Sequence, residues 1–167
     1  QPPSASLEED VAILLAFQAV GANSQDFVGP FVWAAGGGGP CDEASFDDVT
    51  AGWVGVMCCV SYDGYTCDGA NAGRVTHLNL NERHGVSGDI GPLGRLAELR
   101  ILALDNTAVA GDVAALATLG QLRSLSLSHT AVAGDVAALA ALGQLYDLRL
   151  YDTAVWGRID ALRAIPG

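Results

Sequence analysis

The chain has 167 residues, half of them hydrophobic and 16% charged, which suits one folded domain with a sizeable core and excludes a largely disordered chain. Its longest apolar run, Val11 to Phe17, is far shorter than the ~20 residues a membrane-spanning helix needs. A formal net charge of -11 excludes nucleic acid as a partner, because neutralising phosphates takes clustered cations.

The charge is unevenly placed. No Lys occurs; all eight cations are Arg, and the first is Arg74. Residues 1–73 hold ten acids and no basic side chain, whereas residues 74–167 hold nine acids against eight Arg. The expectation is an acidic N-terminal cap, residues 1–74, joined to a nearly neutral body, residues 75–167. Without Lys there is neither Schiff-base chemistry nor a lysine-bearing phosphate loop.

In chain order, the first predicted element is an amphipathic helix over residues 7–20. Glu8, Glu9 and Asp10 fall in its first turn, where the helix dipole favours acids. Trp33 and Trp53 read as core of the cap, and the run Gly36 to Gly39 as a flexible loop. The four cysteines, Cys41, Cys58, Cys59 and Cys67, lie within 27 residues. Such an even, local set reads as two disulfides or as a metal site. Cys58 and Cys59 are adjacent, which fits poorly around one zinc, so disulfides and an oxidising compartment are expected. No metal-ligand spacing appears among His77, His84 and His129, and no metal or cofactor is expected.

From residue 75 onward the sequence repeats. Three units of 23 residues, 99–121, 122–144 and 145–167, follow a looser copy at 75–98. Leu78, Leu102, Leu125 and Leu148 form one column; Leu80, Leu104, Leu127 and Leu150 form the next. The spacing is the leucine-rich-repeat signature. Leu-x-Leu alternation makes a short strand with one buried face, and stacked units place these strands in parallel. Thr107, Thr130 and Thr153 are expected to turn inward and satisfy backbone groups. Arg83 holds that place in the first copy and predicts an irregular turn there. Gly111, Gly134 and Gly157 permit a tight bend. Asp112 and Asp135 then cap short helices on the convex side, built from Ala and Leu. Pro92 is expected to loosen the first of these. Arg158 replaces the capping Asp in the last copy, so that helix is expected to start later, at Asp160.

The cap completes a resemblance. The motifs Leu14-Leu15-Ala16-Phe17, Trp33, Pro40-Cys41, Trp53-Val54-Gly55-Val56-Met57-Cys58 and Arg74-Val75-Thr76-His77-Leu78 resemble, in order, the N-terminal cap of plant-type leucine-rich-repeat proteins. The resemblance covers nearly the whole chain. It implies a right-handed α/β solenoid with a parallel concave sheet, short convex helices and a disulfide-stapled helical cap. It also implies a Cys41–Cys58 bond, which leaves Cys59 to pair with Cys67. The implied localisation is secretory or extracellular, or the lumen of an oxidising organelle.

Candidate binding residues follow from the stacking. Neighbouring strands lie ~4.8 Å apart, so Asp105, Ser128 and Tyr151 form one column, and Asn106, His129 and Asp152 the next. Ser126, Asp147 and Arg149 share the concave face. Arg149 and Tyr151 are the strongest anchors, because both residue types are enriched in binding hot spots. Trp156 stands where the sister repeats carry Ala110 and Ala133, and predicts a further contact. A hydrolytic triad of Ser128, His129 and Asp152 has poor geometry, since sequential residues on a strand point to opposite sides and no oxyanion donor is evident. The chain is therefore expected not to be an enzyme.

The last unit reaches Pro166-Gly167, where a further Leu would open another coil. Either more chain or a partner is expected over that edge. The leading functional expectation is a non-catalytic module that binds a protein through the concave face and the open C-terminal edge. The alternative is an accessory subunit of a larger membrane-associated assembly, for example a photosynthetic one, in an oxidising lumen. Ice binding through the regular Thr column is a minor alternative.

Overall fold

A computed structural model describes residues 6–21, 55–58 and 73–164. Of the cap motifs, Trp33, Trp53, Cys41, Cys59, Cys67 and the glycine run lie outside the described residues. The first described element is helix α1, Leu7–Gly21. Ser6 and Glu9 close its N-terminus reciprocally: Ser6 N–H donates to Glu9 Oε2 at 3.1 Å, and Glu9 N–H donates to Ser6 Oγ at 3.4 Å. This is a capping box, and Ser6-Leu7-Glu8-Glu9 carries its spacing. The buried stripe of the helix is Asp10, Ile13, Leu14 and Phe17, while Leu15 is half-buried and Ala16 exposed.

Asp10 lies in the first turn, as expected, and is 1% exposed. It accepts from Arg74 Nε at 2.8 Å, from the other guanidinium arm at 2.7 Å and from Val75 N–H at 3.0 Å. That fork fixes the helix to the start of the first repeat.

Nine short strands follow among the described residues. β1, Val56–Cys58, runs antiparallel to β2, Val75–Asn79, with a register shift between Met57 and Cys58. Gly55, at φ +82°, precedes β1, and a Cβ there would strike the Asn79 carbonyl. From β2 the sheet grows in parallel through β4, Ile101–Ala103, β6, Ser124–Ser126, and β8, Asp147–Arg149. The expected leucine columns hold the register: Leu78 lies beside Leu102, Leu102 beside Leu125, and Leu125 beside Leu148.

A second sheet was not anticipated. It is parallel throughout and comprises β3, Ser87–Asp89, β5, Ala108–Asp112, β7, Ala131–Asp135, and β9, Ala154–Trp156. Val109 and Val132 bury its inner face completely. Its glycines bend each coil at φ of +117° to +124°.

The return segments are 3-10 helices: Gly91–Arg95, Val113–Thr118, Val136–Ala141 and Ile159–Ala164. Five or six residues are too few for a stable α-helix, and the 3-10 form serves such short pieces. Asp112 Oδ1 accepts from Ala114 N–H at 2.8 Å and Asp135 Oδ1 from Ala137 N–H at 2.9 Å. The same carboxylates reach across to the next coil: a Cβ on Gly134 would collide with Asp112, and one on Gly157 with Asp135. The last helix does not start late. Ile159 occupies the position of Val113 and Val136, and without a capping Asp the turn closes by Ala161 N–H to the Arg158 carbonyl, 3.0 Å. Its position is set by the repeat's bend, not by the cap.

The core is a stack of aliphatic layers. Leu99, Leu102, Leu104, Val109, Leu116 and Leu119 are 0% exposed in the second unit, and their counterparts from Leu122 to Leu142 are likewise buried in the third. Each such side chain contributes roughly 1.5–3 kcal/mol on burial. Thr107 and Thr130 are buried and donate to the carbonyls of Leu104 and Leu127, both at 2.6 Å. In the first unit the equivalent carbonyl, that of Leu80, accepts instead from the backbone N–H of Arg83 at 3.3 Å.

Candidate functional site

The outward face of the five-stranded sheet is built column by column. Inward leucines lock the strands, so the intervening residues are free to vary. In the second and third units this face is small and self-satisfied. Asp105 Oδ1 accepts from Ser126 Oγ at 2.6 Å and from Ser128 N–H at 2.8 Å. Ser126 is only 6% exposed, so it offers a partner little surface. Ala103 beside it is equally recessed at 8%.

The fourth unit is different. Arg149 grips Asp147 with two nitrogens at 3.2 Å, and Ser124 Oγ donates to the same carboxyl at 3.3 Å. The Arg149 side chain remains 67% exposed, so solvent screens the pair and its contribution is below about 1 kcal/mol. Tyr151 is 74% exposed. Its ring meets the His129 ring edge-on, 5.3 Å between centroids.

Just beyond the strands, one residue per unit takes a left-handed conformation: Glu82, Asn106, His129 and Asp152, with φ between 53° and 61°. This turns their side chains into a second ladder along the sheet's rim. Asn106 Nδ2 donates to Glu82 Oε1 at 2.8 Å, and His129 Nδ1 lies 3.1 Å from Asp152 Oδ2. The structure thus gathers the predicted residues into two groups, Asp105 with Ser126 and Ser128, and Asp147, Arg149, Tyr151, His129 and Asp152 around the fourth unit. No hydrogen bond joins Ser128 to His129 among the described residues.

Trp156 belongs elsewhere. It sits on β9 of the second sheet, away from the columns of the first, and is 63% exposed. There it borders an apolar cavity of about 410 Å³ at the end of the stack, with Leu148, Leu150, Val155, Ile159 and Leu162. Sequence reasoning missed Ile159 and Tyr146, which are 81% and 67% exposed. Tyr146 was detectable, since Arg100 and Arg123 hold its position in the other units. Ile159 was not, because Val113 and Val136 at the same place are buried.

The hydrogen bonds that Arg74 donates to Asp10 hold its guanidinium above the ordinary value, against the opposing effect of burial. It is a structural clasp, distant from the sheet face. Cys58 is buried and disulfide-bonded. Among the described residues no cluster of His, Cys, Asp or Glu could hold a metal ion, and no helix is long and apolar enough to cross a membrane.

Neither a family model nor a curated protein matches the chain. Solved structures do. The chain is similar to the leucine-rich-repeat ectodomain of the receptor kinase SOBIR1 from Arabidopsis thaliana, at 21% identity and TM-score 0.61, covering 94% of this chain and 75% of that one. It is also similar to a chain of the BIR3–SERK2 complex from Arabidopsis thaliana, at 18% identity and TM-score 0.57, covering 87% and 70%. Against the ectodomain of the receptor kinase GASSHO1/SCHENGEN3 from Arabidopsis thaliana the identity is 29%, the TM-score 0.41 and the coverage 47% of this chain but only 10% of that one. The fold is that of plant leucine-rich-repeat ectodomains.

Proposed function

We propose that this chain is a non-catalytic protein-recognition module. In this reading it is a right-handed solenoid stapled by Cys41–Cys58 and Cys59–Cys67, working outside the cell or in an oxidising lumen. Residues 1–74 act as the cap and residues 75–167 as the recognition body. The partner contacts Asp147, Arg149, Tyr151, His129 and Asp152 on the sheet face, and Trp156 at the end of the stack.

One observation carries the reading. Tyr146, Tyr151, Trp156 and Ile159, the large hydrophobics exposed among the described residues, all belong to the fourth unit. Exposed aromatics beside an Arg are the composition of binding hot spots. The fold is compatible with it, since one similar chain was determined within a protein–protein complex, BIR3 with SERK2. Ice binding finds no support, because the hydroxyls of Thr107 and Thr130 are buried and bonded to Leu104 and Leu127. The apolar end cavity favours a second reading, a subunit that docks end-on into a larger assembly.

The test is affinity capture from an extract of the native source, with wild type compared with the double variant Arg149→Ala/Tyr151→Ala. Proteins retained by wild type and lost from a folded variant support the module. An identical capture profile for both would remove this face from the function.

A further inference from the structure

Among the described residues β8 is the last strand of its sheet, and its outer edge has a defined hydrogen-bond pattern. In every earlier coil the second leucine of the strand donates to the next coil: Leu80 N–H to the Ala103 carbonyl, Leu104 to Ser126 and Leu127 to Arg149, at 2.8–2.9 Å. In parallel strands alternate residues direct both backbone groups to one neighbour. Leu148 and Leu150, of the same parity, therefore present theirs to the open edge. The Tyr146 carbonyl does so too, since its counterpart on Arg123 accepts from Tyr146 N–H at 2.9 Å. Behind the edge, Leu148, Leu150 and Val155 are half-buried, whereas Leu125, Leu127 and Val132 are 0% exposed.

We infer that a second copy of this chain occupies that edge, related by a two-fold axis through Leu148. At the other end of the sheet β1 runs antiparallel to β2 with a register shift, which breaks the parallel ladder that a head-to-tail copy would extend. Two copies therefore meet fourth coil to fourth coil, with β8 antiparallel to itself.

The sequence of β8 is self-complementary in this register. Leu148 faces Leu148 of the second copy as the pair that exchanges both backbone bonds. Asp147 then faces Arg149 of the second copy in the closer, non-bonded pair, and Arg149 faces Asp147. Each carboxylate already holds its own Arg149, so four charges alternate around the axis. Leu150 N–H comes opposite the Tyr146 carbonyl of the second copy. On the inner face, leucines of one copy enter the apolar cavity of the other. Any other register sets Asp147 against a residue that cannot neutralise it.

The pairing joins two five-stranded sheets into one face twice as wide. That answers a difficulty of the single chain, whose short sheet is narrow for a standard interface of roughly 800 Å² per partner. The inference deepens the recognition-module reading and rests on it for the edge being a protein-binding surface.

Sedimentation equilibrium of the chain alone, at tens of micromolar, is the test. The expected mass is twice the 17.1 kDa of one chain. Asp147→Arg and Arg149→Asp each place like charges across the axis, and each is expected to weaken self-association by about tenfold or more. The double variant Asp147→Arg/Arg149→Asp restores opposite charges and the dimer. The two single variants, mixed, are expected to associate with each other. Amide exchange on the wild type supplies a readout free of variants: Leu148 and Leu150 N–H gain protection with concentration. A monomeric wild type, or single variants that dimerise as well as wild type, would overturn the proposal. So would a native chain whose mass shows further coils over the edge. Partner capture separates the two readings. If the charge-swapped variants dimerise unchanged while Arg149→Ala/Tyr151→Ala loses its partner, only the dimer fails.

Discussion

The two ends of the repeat stack face the same physical problem and meet it differently. At each end of the described stack a row of aliphatic side chains lacks a neighbouring coil among the described residues. At the first coil, α1 and β1 close the row, and Asp10 and Arg74 bind helix to strand through a buried fork. At the fourth, Ile159 stands 81% exposed where Val113 is 0% exposed. Among the described residues, one end is closed by α1 and β1, whereas the fourth coil has no such covering element. Equivalent repeat positions are thus buried in the inner coils and exposed in the fourth.

The comparison is broken most severely at the closed end. Asp10→Ala removes the carboxylate that accepts two bonds from a buried guanidinium, and is expected to cost about 3–5 kcal/mol, read as a lowered urea midpoint. A loss below about 1 kcal/mol would mean that the helix is not held by this pair. Along the stack, Leu125→Ala is expected to cost about 2–5 kcal/mol, and Leu148→Ala roughly half as much at protein concentrations where the chain is monomeric. Equal losses would show that the fourth coil is as well packed as the third.

Smaller changes sharpen the contrast. Asp112→Ala removes a helix cap and is expected to cost about 1 kcal/mol. Arg158→Asp installs the missing cap on the fourth coil, and is expected to stabilise by up to about 1 kcal/mol. A shift of the melting midpoint in opposite directions would establish that the coils differ at this one position. Smallest of all, Arg149→Ala is expected to change stability by less than about 1 kcal/mol while altering association. A large loss of stability would make Arg149 structural.

The leucine columns were legible because their spacing admits one stacking register. That register also placed His129 beside Asp152 before any coordinate was known. The second sheet was hidden, because Ala-Val-Ala-Gly-Asp is read as a turn leading into a helix. Its strands exist through the stacking of Val109 on Val132, a tertiary effect. The burial of Asp10 was not legible, because an acid in a first helical turn has a sufficient local explanation. Its partner is 64 residues away. Ser126 was misjudged because an outward position does not ensure exposure when Asp105 leans over it.

The carboxylate that caps each return helix also fills the space left by the next coil's glycine. Asp112 answers Gly134, and Asp135 answers Gly157. This makes a lock and key out of neighbouring units and sets a grammar for growth by duplication. A 23-residue unit copied between the second and third coils would meet a matching neighbour on both sides. One copied onto the fourth would bring its glycine against Arg158, and would need that residue to revert before it could seat.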